Sequence, residues 1–191
     1  MTVNVHRLAL SVLAMLLSAG CAATPPAASS SSSTGTGRPA PSSYEEVAES
    51  LCAAWQALDT AVGNPDTGEG SQLSDSLDAS AERRDVASAE HAAALVIAEL
   101  EAARQHAAHA GRWEPAAEVA SQMDRLLLAF EAMITAKVEE ARGTPEADGQ
   151  RALEQAGGME AWAGTLQAIQ ELVAQRPDGP PRQCGDVPIG F

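Results

Sequence analysis

The chain has 191 residues and a formal net charge of −14, with 26 acidic side chains against 12 basic ones. Phosphates of nucleic acids and anionic lipid headgroups repel such a charge, which excludes nucleic-acid binding and a domain that lies on the bilayer surface. The length is sufficient for one domain with a hydrophobic core.

Residues 1–20 are predicted to be a secretory signal peptide. His6 and Arg7 precede an uncharged apolar stretch from Leu8 to Ala19, about 12 residues long. Because a membrane-spanning helix needs about 20 apolar residues, this stretch matches the apolar region of a signal peptide. No other stretch is long and apolar enough, so no transmembrane segment is expected.

The segment ends in Leu17-Ser18-Ala19-Gly20-Cys21, which resembles the lipobox of bacterial lipoproteins. Ala19, Gly20 and Cys21 match the pattern, whereas Ser18 stands where the family has an aliphatic residue. The resemblance implies diacylglycerol on Cys21, palmitate-type acyl chains and a lipid-anchored location on the extracytoplasmic face of the cell membrane. It covers only the first 21 residues. The alternative is ordinary secretion with cleavage after Ala23.

Residues 21–42 are predicted to be the lipidated Cys21 followed by a disordered tether. The tether is rich in Ala, Thr, Pro, Ser and Gly, and Arg38 is its only charge. Such a composition cannot build a core. As a flexible coil it would span roughly 25 Å, which is enough to lift a domain off a membrane.

Cys52 and Cys184 are predicted to form a disulfide. They are the two cysteines left after Cys21, and an oxidising compartment favours pairing them. Cys52 lies at the edge of an apolar helical stripe, where a C-terminal tail carrying Cys184 could reach it. The alternative is a buried free Cys52 and a loose Cys184.

Residues 43–191 are predicted to form an all-α domain, an antiparallel four-helix bundle with an extended C-terminal tail. Ser43 to Glu46 reads as a capping box, and Gly63 ends the first helix. A second helical region, 73–110, should break near 79–86. Pro115 opens the third region and Gly143 closes it; Thr144-Pro145-Glu146 is expected to start the fourth, which Gly157-Gly158 interrupts.

Each helical region carries an apolar face at helical spacing. The predicted buried residues are Val47, Leu51, Trp55, Leu58 and Val62; Ala89, Ala92, Val96, Leu100, Ala103 and Ala107; Val119, Met123, Leu126, Leu127, Phe130, Met133, Ile134 and Val138; and Met159, Trp162, Leu166, Ile169 and Val173. The three tryptophans and the methionines are interpreted as core or core-edge residues rather than a ligand groove or a copper-binding cluster.

His106 and His109 are the metal-ligand candidates. They are three residues apart, so they share a helix face, and imidazole binds zinc, copper and iron. His91 is roughly 22 Å away along a helix axis and cannot join them. The Glu-x-x-His pairs of di-iron bundles are absent. The simpler interpretation is two histidines in a last helical turn, where positive charge suits the helix dipole.

The sequence predicts a non-catalytic binding or scaffolding module of the cell envelope, with no cofactor. Its expected partners are the membrane, through lipid on Cys21, and an unidentified envelope protein. No Ser/His/Asp, Cys/His or paired-carboxylate arrangement and no phosphate-binding glycine loop is apparent. The alternatives are a metal- or cofactor-binding bundle that uses His106 and His109, and an extracytoplasmic enzyme.

Overall fold

Helices account for most of the chain that the structure describes. The structure is a computed structural model, and it describes residues 39–63, 69–175, 183–184 and 187–190. The helices are α1 (Tyr44–Val62), α2 (Gln72–Glu82), α3 (Val86–Ala110), α4 (Ala117–Ala141), α5 (Gly149–Gln155) and α6 (Gly158–Ala174). The predicted all-α class is confirmed. The predicted signal peptide, Cys21 and most of the predicted tether lie outside the described residues.

The start of α1 is capped, although by a different pair of bonds from a standard capping box. The Ser43 hydroxyl accepts a hydrogen bond from the Glu46 backbone N–H, as predicted. The Glu46 carboxylate accepts from the backbone N–H of Ser42, at 2.6 Å. Pro41 is buried. The contacts of the domain therefore begin slightly before residue 43.

The second helical region breaks where the sequence predicted it. Helix α2 ends at Glu82, and Arg84 adopts a left-handed conformation with φ of 56°. Asp85 then caps α3, because its carboxylate accepts a hydrogen bond from the Ser88 backbone N–H. Two helices therefore replace one long one, and each starts with a side-chain cap that satisfies an otherwise unpaired N–H group.

The connection between α4 and α5 differs from the prediction. Gly143 has a φ of 75°, as expected for a glycine that ends a helix. However, the predicted helix start at Thr144-Pro145-Glu146 was wrong, because Glu146 has a φ of 73° and α5 begins only at Gly149. Asp148 provides the cap, through a 3.0 Å hydrogen bond from the Arg151 backbone N–H. A proline after a helix resembles a start signal, but here it belongs to a turn.

A single apolar core lies between the helices. Helix α1 packs on α3, α3 on α4, and α4 on α6, while α2 contacts α3 and α4, and α5 contacts α4. Much of the core is alanine, especially on α3. Three polar side chains, Ser50, Ser80 and Thr165, are also buried. Each hydroxyl donates to the carbonyl four residues earlier in its own helix, so none is left unpaired.

The predicted apolar faces are largely buried, with one clear exception. All six predicted residues of α3 are at most 3% exposed. Met159, by contrast, is 61% exposed, so its assignment to the core was wrong. It lies in the first turn of α6, directly after the break at Gly157, where φ is 75°.

Two short strands follow the helices. Strand β1 (Gln183–Cys184) pairs antiparallel with β2 (Val187–Gly190). Cys184 is buried, at 2% exposure, and β1 contacts α1. The predicted extended tail is therefore held on the first helix at Cys184.

Candidate functional site

The link between the tail and α1 is a cysteine pair. The sulfur atoms of Cys52 and Cys184 lie at disulfide distance, with Cα atoms 5.1 Å apart, as predicted. The pair spans 132 residues of sequence. A cross-link over so long a loop restricts the unfolded chain strongly. It ties the end of the described chain to its first helix.

One turn after Cys52, Trp55 forms the centre of an aromatic contact between α1 and α6. Its ring meets that of Trp162 edge to face, with centroids 5.0 Å apart and planes at 88°. Trp55 is 2% exposed, and its indole nitrogen has no hydrogen-bond partner among the described residues. Trp162 and Trp113 are half-buried. The tryptophans thus lie at the core or its edge, as predicted.

His106 and His109 lie near the end of α3 and are both partly exposed. Within the described ranges, no group of three or more His, Cys, Asp or Glu side chains is placed to hold a metal ion. Tetrahedral zinc takes four ligands, three of them from the protein even at an open catalytic site. The two imidazoles by themselves do not provide such a set.

The most extensive charge cluster joins α3 to α4 through Arg104. Its guanidinium forms ion pairs with Glu101 at 3.0 Å, Asp124 at 3.0 Å and Glu131 at 2.8 Å. Burial opposes the positive charge, but hydrogen bonds to the three carboxylates outweigh it, and the pKa of Arg104 is raised above its usual value. One cation is thus shared by three carboxylates from two helices, and the cluster links α3 to α4.

Two further cations connect helices in the same way. Lys137 of α4 pairs with Asp78 of α2 at 3.3 Å and with Glu140 at 3.4 Å. Burial opposes its charge, but the two carboxylates prevail and the pKa of Lys137 is raised. Arg142 reaches Glu90 of α3 at 2.6 Å. In these contacts the charged side chains link neighbouring helices, which is a structural role.

A small apolar cavity lies where α4, α5 and α6 meet. Its volume is about 140 Å³. The lining residues are Leu126, Phe130, Leu153, Gly158, Met159 and Trp162. By contrast, the groove between α4 and the α5–α6 junction is lined in part by Arg125, Gln122 and Glu160. The cavity therefore has no charged side chain in its lining, and the Trp162 indole N–H is the one side-chain hydrogen-bond donor there.

Sequence reasoning identified most of these cavity residues as core but did not find the cavity. The sequence signal for a close approach of α5 and α6 was the Gly157-Gly158 pair between two apolar segments. An added Cβ at Gly158 would lie 2.5 Å from Leu153 Cδ1, so glycine is needed for α5 to approach α6. The helix-joining ion pairs had no sequence signal, because their partners are up to 59 residues apart.

No family model, curated protein or solved structure matches the chain. None of the helices in the described ranges combines the length and the apolar composition that a bilayer crossing requires.

Proposed function

We propose that this protein is a bacterial lipoprotein, held on the extracytoplasmic face of the cell membrane by diacylglycerol on Cys21. The single observation that carries the proposal is the sequence Leu17-Ser18-Ala19-Gly20-Cys21 after a short apolar stretch. The Cys52–Cys184 pair supports it independently, because disulfides persist in oxidising compartments outside the cytoplasm.

We further propose that the domain is an antiparallel four-helix bundle whose main helices are α1, α3, α4 and α6. The contacts of α1 with α3, α3 with α4 and α4 with α6 support this order. The Trp55–Trp162 contact then joins α6 back to α1 and closes the ring. The short connection between α3 and α4 favours an antiparallel arrangement of that pair. In this arrangement α2 and α5 are short accessory helices.

The role of the domain is that of a non-catalytic binding or scaffolding module of the cell envelope. The arginine and lysine side chains at the helix contacts are paired with carboxylates, and the helix faces are used for packing. The predicted tether, residues 21–42, would let the domain reach an envelope protein some distance from the membrane. No cofactor is required by this role.

The anchor is tested by a substitution that removes only the acceptor sulfur. A Cys21→Ser variant expressed in the native host should lose labelling by a palmitate analogue and leave the membrane fraction. A Ser18→Leu variant is the matched control: it keeps Cys21, restores an aliphatic residue to the motif, and should retain both properties. Equal labelling of the Cys21→Ser variant and the unmodified chain would refute lipidation at this site.

The non-catalytic role has its own test. The full chain, with its disulfide intact, should show no turnover in a broad screen of ester, peptide, phosphate and glycoside substrates. Turnover that copurifies with the protein and disappears on a single substitution would overturn the proposal. Crosslinking in intact cells should instead recover a defined envelope partner.

A further inference from the structure

We propose that the cavity between α4, α5 and α6 is a binding site for a small, neutral, single-ring aromatic group. This site is independent of the membrane anchor, since it is formed entirely by residues 126–162 of the helical domain. The volume of the cavity, its lining and the exposure of Met159 at its edge support this site.

The volume fits one ring. The cavity measures about 140 Å³. Apolar cavities of about 150 Å³ lined by aliphatic and aromatic side chains remain dry and bind benzene. A water molecule needs two to four polar partners, and the lining side chains offer one donor, the Trp162 indole N–H. An apolar molecule of one-ring size is therefore the ligand class that the space accepts.

The lining favours an aromatic ring over an aliphatic group of the same size. Phe130 and Trp162 can meet an aromatic ligand edge to face, a contact that raises affinity about 2- to 13-fold beyond the effect of burial. The sulfur of Met159 adds a favourable contact with an aromatic ring. Since none of the lining side chains is charged, and the chain carries a net charge of −14, an anionic ligand has no partner here.

Met159 offers a way into the cavity. It lines the cavity and yet is 61% exposed, so its side chain lies between the interior and solvent. Methionine has an unbranched chain with three rotatable bonds, and it changes rotamer at little cost. Ligand exchange therefore needs a side-chain movement and not the opening of a helix pair.

Benzene is the probe for a chemical-shift titration of the full chain, followed by two-dimensional NMR of the methyl and indole signals. We expect saturable shifts at Leu126, Leu153 and Trp162 and none at Leu128, which is 51% exposed and does not line the cavity. Benzoate should bind at least about tenfold more weakly, and cyclohexane about 2- to 13-fold more weakly. No saturable shift up to the solubility of benzene would overturn the site, and equally tight cyclohexane or benzoate would overturn the ligand class.

A pair of substitutions adds a second test. Leu153→Trp places a larger side chain in the cavity and should weaken benzene binding at least about tenfold. Leu128→Trp makes the same change at an exposed position of α4 and should leave benzene affinity unchanged. Circular dichroism checks that both variants fold; if Leu153→Trp does not fold, the titration of the unmodified chain decides the matter. Retained affinity in a folded Leu153→Trp variant would place the binding elsewhere.

Discussion

Helix α3 and the α5–α6 segment bury their apolar residues in different ways. Helix α3 is continuous over 25 residues, and the residues predicted for its inner face are buried. The α5–α6 segment is broken at Ala156 and Gly157, its first helix has only seven residues, and a cavity of about 140 Å³ remains beside it. In a continuous helix the same face points to the core over many turns. After a break, the first turn of the next helix is only partly surrounded by other helices.

The buried residues of α3 are accounted for by helix packing, whereas the α5–α6 junction has space for a ligand. In α3 the buried side chains are mostly alanine, which lets neighbouring helices approach closely. At the α5–α6 junction, larger side chains surround an unfilled volume. Four changes test this difference in packing, and they are given in order of decreasing effect on stability.

Breaking the cysteine pair should have the largest effect. A Cys184→Ser variant releases β1 from α1. It also removes a cross-link that spans 132 residues, so the unfolded chain gains conformational entropy. The chain-entropy model gives up to about 5 kcal/mol of lost unfolding free energy, and about 2–5 kcal/mol is the usual range. Urea unfolding followed by circular dichroism measures it. Full stability in the variant would show that the pair does not constrain the fold.

Truncation of a core leucine on α3 should come next. Leu100 is fully buried, so Leu100→Ala should reduce the unfolding free energy by about 2–5 kcal/mol. Leu128→Ala is the matched control, because Leu128 is 51% exposed, and its effect should stay within about 0.5 kcal/mol. The same urea titration compares them. Similar losses in the two variants would contradict the burial described for α3.

Two glycines with the same backbone conformation sharpen the comparison. Gly143 follows α4 and Gly157 precedes α6, and both have a φ of 75°. Replacing either with alanine should destabilise the protein by about 1–2 kcal/mol, since a left-handed conformation is unfavourable for a residue with a Cβ atom. Space is not the cause, because an added Cβ would meet nothing closer than 3.8 Å at either site. A neutral Gly157→Ala variant would mean that the α5–α6 bend is not fixed.

Acid should destabilise both regions through their helix caps, with the smallest effect of the four. Hydrogen bonds from the Ser88 hydroxyl and N–H hold the pKa of Asp85 below its ordinary value, and the Arg151 N–H does the same for the pKa of Asp148. A carboxyl whose pKa is lowered on folding stabilises the protein above its unfolded pKa, and this contribution is lost as the pH falls through the folded pKa. The urea concentration at the midpoint of unfolding should therefore decrease once the pH is below about 4.

Asparagine at either cap separates the charge from the hydrogen bond. Asp85→Asn and Asp148→Asn keep a good capping residue but remove the titration. Both variants should lose less stability than the unmodified chain between pH 7 and pH 3. If the acid dependence is the same in all three proteins, the caps do not contribute to it.

The sequence predicted the helices where local chemistry decides them. Ser43 as a cap, the break before Asp85, the glycine at position 143 and the Gly157 interruption are all determined by neighbours a few residues away, and all are found. The predicted start at Thr144 was wrong because turns and helix starts use the same residue types. Whether such residues form a turn or start a helix depends on where α5 can pack on α4. That packing is a tertiary contact, which local sequence does not specify.

The candidate site was less predictable for a related reason. A cavity is the volume that several side chains from different helices fail to fill, so the Gly157-Gly158 pair indicated a close approach of α5 and α6 but not the unfilled volume beside it. Met159 shows this directly: it has the correct helical phase for burial, yet it is exposed at the edge of the cavity. The cysteine pair could be predicted, because only two cysteines remained and one of them bordered an apolar face.

The central claim, a lipid-anchored helical domain outside the cytoplasm, is tested most directly by the intact mass of the protein extracted from the membranes of its own host. We expect a chain that starts at Cys21, carries diacylglycerol and lacks the two hydrogens lost when Cys52 and Cys184 pair. An unlipidated chain that starts at Thr24, or one in which both thiols are free, would contradict it.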